Sequence, residues 1–138
     1  MQDKMLNILL VEDDEVDVMN VNRAFKKNNI SNPLFVAGNG LDALAMLRGG
    51  QIPRDRRLIL LDLNMPRMNG IEFLRELRGD AELKSTPVVV LTTSDDERDR
   101  VDAYNLNVAG YILKPVTLTN FVEAMATLNK YWTLVELP

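Results

Sequence analysis

The sequence predicts a doubly wound α/β domain built on a five-stranded parallel sheet. Two observations carry this expectation. Five short runs rich in Val, Ile and Leu recur along the chain, and the segments between them carry helical periodicity. Strands joined through helices need crossover connections, so they pair in parallel and are covered on both faces. A strand buried on both faces is apolar throughout rather than alternating, and these runs have that character.

The first strand is expected at residues 6–11, ending Ile8-Leu9-Leu10-Val11. A helix at 15–29 follows, with Val18, Val21 and Phe25 on one face. The second strand, 34–37, is short. Asn39-Gly40 then opens a helix at 41–48, and Gly49-Gly50 stop it. Residues 51–57 form a polar, Pro-containing loop before the third strand, Leu58-Ile59-Leu60-Leu61. The third helix, 71–78, is expected to turn Ile71, Leu74 and Leu77 inward. Val88-Val89-Val90-Leu91 after Pro87 is the fourth strand. Ser94 with Glu97 reads as a capping box for a fourth helix at 95–106, highly charged and poor in apolar surface. Such a helix should be among the least stable parts of the fold. The fifth strand is 110–113, and the last helix, 118–132, carries Phe121, Met125, Leu128 and Trp132 as one apolar stripe.

Composition bounds the function. With 138 residues, 46% hydrophobic and 26% charged, the chain is expected to form one globular domain over 1–138, with a tail at 133–138 and no room for a second output domain. A net charge of -4 with no basic patch argues against direct nucleic-acid binding. No segment fits a signal peptide or a membrane span, so a cytoplasmic protein is expected. The absence of cysteine excludes disulfides and thiol chemistry. The absence of histidine matters more. It removes imidazole bases, imidazole metal ligands and phosphohistidine from this chain, leaving carboxylate, hydroxyl and lysine to act.

Four of the apolar runs end in a polar residue. The first runs into Glu12-Asp13, the third into Asp62, the fourth into Thr92 and the fifth into Lys114-Pro115. In a parallel sheet all four termini share one edge, the edge where open α/β sheets bind ligands. Two acids, another acid, a hydroxyl and a lysine suit a divalent cation and a phosphoryl group. Asp62 is the central residue, because a strand-end carboxylate can attack phosphorus to form an acyl phosphate. Alone it reads equally as a turn residue; beside the other three strand ends it reads as part of a site. Glu12-Asp13-Asp14-Glu15-Val16-Asp17 places five carboxylates in six positions. A helix N-terminus accounts for Asp14, Glu15 and Asp17. Glu12 and Asp13, directly at the strand end, are better explained by a cation, and Mg²⁺ takes one or two carboxylates together with water and phosphate oxygens. Lys114 can pair with Asp62 and then with phosphoryl oxygens.

The segments Leu10-Val11-Glu12-Asp13, Leu61-Asp62-Leu63-Asn64-Met65-Pro66 with Gly70, Val90-Leu91-Thr92 and Tyr111-Ile112-Leu113-Lys114-Pro115 resemble a bacterial response-regulator receiver domain. The likeness covers 6–132, and four motifs in order make it specific. It implies the strand order 2-1-3-4-5 known for the chemotaxis regulator of this family. It also implies that Asp62 takes a phosphoryl group from a histidine on a partner kinase. Mg²⁺ would be held by the carboxylates of Asp13 and Asp62 and the backbone carbonyl of Asn64, with Glu12 acting through a bound water. Lys114 and Thr92 would hold the phosphoryl oxygens, and the Lys114–Pro115 bond would be cis. Tyr111 would be the switch aromatic, turning inward as Thr92 moves towards the phosphate. The only chemistry implied is the protein's own phosphorylation and the later hydrolysis of its acyl phosphate.

The long loop before the third strand, the segment Val90-Leu91-Thr92-Thr93-Ser94 and the ending Tyr131-Trp132-Thr133-Leu134-Val135-Glu136-Leu137-Pro138 all look like the stand-alone regulators of bacterial and cyanobacterial phytochromes. That finer likeness implies a red-light photoreceptor kinase as partner. With no output domain, the signal is expected to leave by protein contact, including a homodimer through the fourth helix, fifth strand, last helix and tail. Two other readings use the same residues. A small phosphatase of the haloacid-dehalogenase type also needs a strand-end Asp and Mg²⁺, but Asn64, two positions after Asp62, cannot be its general acid. A phosphorylation-independent binding module on the same fold would leave the full set of site residues unexplained.

Overall fold

The computed structural model of the chain describes residues 6–27, 31–65, 67–93 and 96–113. Strands β1 (Asn7–Val11), β2 (Leu34–Ala37), β3 (Arg57–Leu61), β4 (Val88–Thr92) and β5 (Gly110–Leu113) alternate with helices α1 (Glu15–Lys27), α2 (Gly40–Arg48), α3 (Gly70–Gly79) and α4 (Glu97–Asn105). Every strand pair is parallel, in the order β2-β1-β3-β4-β5. The last helix expected from sequence, with its stripe ending at Trp132, lies outside the described residues, as does the tail.

The continuous apolar runs are explained by two cores, one on each face of the sheet. Leu9, Val11, Ile59, Leu61, Val88 and Val90 join Leu44, Leu47, Phe73, Leu74 and Leu77 of α2 and α3 on one side. The alternate residues Ile8, Leu10, Leu58, Leu60, Val89 and Leu91 meet Val21, Ala24 and Phe25 of α1 on the other. Side chains of a strand alternate between faces, so only a strand covered twice can be hydrophobic at every position.

Two expectations about helices are corrected. On α3 the buried residues are Gly70, Phe73, Leu74 and Leu77, so Phe73, which is completely buried, replaces Ile71 at the centre of the inner face, and Ile71 packs at the margin. Helix α4 starts at Glu97 rather than 95, and its cap is Asp96, whose carboxylate accepts from the Arg98 N–H at 2.8 Å. Ser94, the cap expected from sequence, lies outside the described residues. A capping box does occur at α3, where the Asn69 side chain accepts from the Glu72 N–H and the Glu72 carboxylate accepts from the Asn69 N–H.

The sparse apolar surface expected of α4 is confirmed, since Ala103 is its one buried residue. Its C-terminal end is held from outside. Arg78 of α3 donates through Nε to the Leu106 carbonyl (2.8 Å) and through Nη2 to that of Asn107 (3.1 Å). Its Nη1 reaches the carbonyls of Lys84 (2.9 Å) and Thr86 (2.7 Å). The last carbonyls of the helix are taken by the N–H groups of Leu106, Asn107 and Val108, and Arg78 places a fixed cation on the carbonyls just beyond them, where the helix has no basic residue in its own last turn. Burial lowers the Arg78 pKa from the ordinary arginine value, an indication of how closely the surrounding chain encloses the guanidinium. Arg78→Ala should lower stability by about 2–3 kcal/mol, because several carbonyls lose a charged donor at once. Arg78→Lys should recover only part of this, an ammonium being unable to reproduce the planar fork. Equal urea midpoints for Arg78→Ala and wild type would refute this account.

Candidate functional site

Strand register brings the expected residues together. Val11 pairs with Leu61, so the next residues, Glu12 and Asp62, leave adjacent strands side by side. The Asp62 N–H continues the ladder to the Val11 carbonyl at 3.0 Å, and the Glu12 N–H bonds that of Ala37 at 3.0 Å. Leu61 pairs with Val90, which puts Thr92 one residue beyond the level of Asp62 on β4. Glu12 is 3% exposed, Asp62 7% and Thr92 not at all, whereas Asp13 is exposed.

One carboxylate oxygen from each of Glu12, Asp13 and Asp62 lies within 4.8 Å of the others. At that separation two full charges repel by about 3.5 kcal/mol for an effective dielectric of 20. Two of the three groups are buried, so water screens them poorly. A hard divalent cation relieves that repulsion, and oxygen-only donors on converging backbone suit one. The acidic run divides as its chemistry requires. Asp14 caps α1, its carboxylate accepting from the N–H groups of Val16 (2.8 Å) and Asp17 (3.4 Å), and Glu15 and Asp17 lie in the first turn. Glu12 accepts from the Asp14 N–H at 3.3 Å, which fixes the side chain from the rear.

Asp62 is held by its own loop. Its Oδ1 accepts from the Asn64 N–H at 3.2 Å. The Asn64 side-chain amide donates to Thr93 Oγ1 at 3.3 Å, tying the loop after β3 to the end of β4 across the mouth of the site. That loop is set by anchors which sequence reading missed. The Gly70 N–H bonds the Leu63 carbonyl at 3.0 Å. A β-carbon on Gly70 would lie 2.6 Å from Leu63 Cα and 2.7 Å from the Asp62 carbonyl oxygen, so only glycine permits the approach. Met68 packs over Gly40 at the start of α2. Between these anchors Arg67 adopts φ 70°, a left-handed conformation that costs a residue with a β-carbon about 1–2 kcal/mol. The Asn-x-x-Glu cap at Asn69 was a readable signal for where this loop ends.

Tyr111 is partly buried on β5, opposite Val90, with its ring against α4. The Arg100 guanidinium lies over the ring at 5.3 Å from its centroid, and the Tyr104 ring is 6.5 Å away at 30°. Lys114 and Pro115, and so the expected cis bond, lie outside the described residues. The structure therefore gathers Glu12, Asp13, Asp62, Asn64 and Thr92 at one sheet edge, with Tyr111 on the neighbouring strand.

Residues 8–126 match the family model for the response regulator receiver domain. The chain belongs to that family. It is 38% identical over 128 residues to the response regulator Rcp1 of Synechocystis sp., covering 91% of this chain and 87% of the relative. The crystal structure of the phosphorylated cyanobacterial phytochrome response regulator RcpA superposes with a TM-score of 0.80 at 35% identity, covering 97% of this chain and 99% of that one. The Mn²⁺-bound form of Rcp1 gives a TM-score of 0.77 at 38% identity, covering 96% and 99%. Phytochrome response regulators are thus among the proteins that this receiver resembles, and its fold is that of the chemotaxis-regulator type. Among the described residues no helix is long and apolar enough to cross a membrane.

Proposed function

We propose that this receiver is the phosphoryl-accepting switch of a two-component pathway, with Asp62 as the acceptor. The observation that carries the reading is the meeting of Glu12, Asp13 and Asp62 at register-adjacent strand ends. A carboxylate oxygen of Asp62 bonds to phosphorus while the bond from phosphorus to the partner's histidine nitrogen breaks. Water later attacks the acyl phosphate, returning the carboxylate and free phosphate. Mg²⁺ is the cation this site would take, and Asp13, Asp62, the Asn64 carbonyl and, through water, Glu12 are the groups that would hold it. When bound it neutralises charge on the phosphoryl oxygens. Lys114 and the Thr92 hydroxyl would hold those oxygens. Phosphorylation adds roughly -1.5 to -2 charges, and the resulting pull on Thr92 favours the inward position of Tyr111.

The likeness to phytochrome regulators supports a photoreceptor histidine kinase as the donor and a cytoplasmic setting. The output is protein contact through α4, β5, the last helix and the tail, including a homodimer, with no direct binding of nucleic acid. The experiment is intact mass after incubation with Mg²⁺ and a small acyl-phosphate donor. One added phosphoryl group is expected; no adduct, together with no response to beryllofluoride, would refute the reading.

Asp13 offers a separate test, because it is exposed and its loss leaves the core untouched. Asp13→Asn should weaken Mg²⁺ binding by at least the roughly 10–100-fold that loss of outer-sphere partners costs metal sites. Titration calorimetry reads this directly, and an unchanged affinity would remove Asp13 from the ligand set.

A further inference from the structure

Arg100 and Tyr104 stand one turn apart on α4, on the side that meets Tyr111. The far end of the helix is pinned by Arg78 and Ala103. Residues Val90 and Thr92 are two apart on β4 and share a face of the sheet, and Tyr111 pairs directly with Val90. The ring is therefore beside the file of side chains that ends in Thr92. We infer that Arg100 and Tyr104 are positioning residues that clasp Tyr111 and set how readily its ring leaves that place. The inference rests on the reading of Tyr111 as the switch aromatic.

The physical basis is that both contacts depend on ring position. A guanidinium is attracted to the face of an aromatic ring, and the attraction falls off when the ring turns edge-on or moves away. The tilted Tyr104 ring adds a contact with the same dependence. Moving Tyr111 breaks both, so the clasp favours the unphosphorylated arrangement. Removing it should make switching easier without changing the carboxylates, metal ligands or phosphoryl contacts.

The test uses the full chain labelled with 3-fluorotyrosine, the Tyr111 resonance being assigned from Tyr111→Phe. Beryllofluoride is titrated at saturating Mg²⁺, and the fluorine signal of the bound beryllofluoride reports binding independently. Arg100→Gln should shift the Tyr111 resonance before any addition and lower the beryllofluoride midpoint about two- to fivefold, the range an exposed cation–π contact spans. Arg100→Lys should fall between wild type and Arg100→Gln. Tyr104→Ala keeps the local charge and should lower the midpoint as well, which separates loss of the clasp from loss of a positive charge. Midpoints for both Arg100→Gln and Tyr104→Ala at or above that of wild type would overturn the clasp. Bound beryllofluoride in wild type with an unmoved Tyr111 resonance would instead overturn the switch role of Tyr111, and the clasp with it.

Discussion

Asp62→Asn is expected to take up no phosphoryl group from an acyl-phosphate donor under conditions that label the wild type, while folding normally. The amide oxygen can still accept from the Asn64 N–H, so the loop keeps its bond. The amide cannot attack phosphorus, however, and it offers the cation a weaker donor. Stability should move the other way. The wild type in metal-free buffer holds three carboxylates within 4.8 Å, and neutralising one removes two repulsive pairs. Asp62→Asn should therefore unfold at no lower temperature than wild type without Mg²⁺, and should gain less when Mg²⁺ is added. Intact mass and thermal unfolding with and without Mg²⁺ check both halves. Undiminished labelling would move the acceptor elsewhere. A variant that labels poorly and also unfolds early would point to a structural role.

The second large effect is expected at a residue with no functional group. Gly70→Ala would put a methyl carbon 2.7 Å from the carbonyl oxygen of Asp62, the proposed acceptor, and 2.6 Å from Leu63 Cα. These are backbone atoms, unlike the flexible Met68 side chain over Gly40, so the strain cannot be relieved by a rotamer change. The expected cost is about 2–3 kcal/mol, and relief by moving the loop displaces Asp62 from Glu12 and Asp13. Labelling by the acyl-phosphate donor should fall more than stability alone explains, with a matching loss of Mg²⁺ affinity. Gly79→Ala is the control, since nothing lies within 4 Å of the added carbon at the other end of the same helix. It should be neutral or slightly stabilising. Wild-type Mg²⁺ affinity in Gly70→Ala would show that the loop absorbs the methyl without moving the site.

Much of this was legible before any coordinates. The five strands announce themselves because a strand covered on both faces must be apolar at every position, and their polar ends mark the edge where a site forms. The likeness to receiver domains supplied the strand order. Reading failed where two signals of the same kind competed. At α4 the sequence pointed to Ser94, whereas Asp96, the same kind of capping residue two positions on, accepts the N–H of Arg98. On α3 the spacing of Ile71, Leu74 and Leu77 suggested one inner stripe, whereas packing against the sheet centres the buried face on Phe73, Leu74 and Leu77. Helical periodicity fixes the spacing of a stripe more firmly than its orientation by one residue.

By itself the sequence determined the alternation of strands and helices, the exclusion of histidine and cysteine chemistry, and the gathering of acids and a hydroxyl at one edge. Each follows from local rules: period, composition, and the residue that ends a run. Only the tertiary structure decided what holds the site and α4 in place. Arg78 binds the carbonyl of Asn107 across 29 positions, and every residue carries a carbonyl, so no residue type signals such a partner. Gly70 against Leu63, and Arg100 over Tyr111, depend on backbone approach and on crossovers bringing distant segments together. Residue types record what chemistry is available, whereas the distances at which it acts are set by packing.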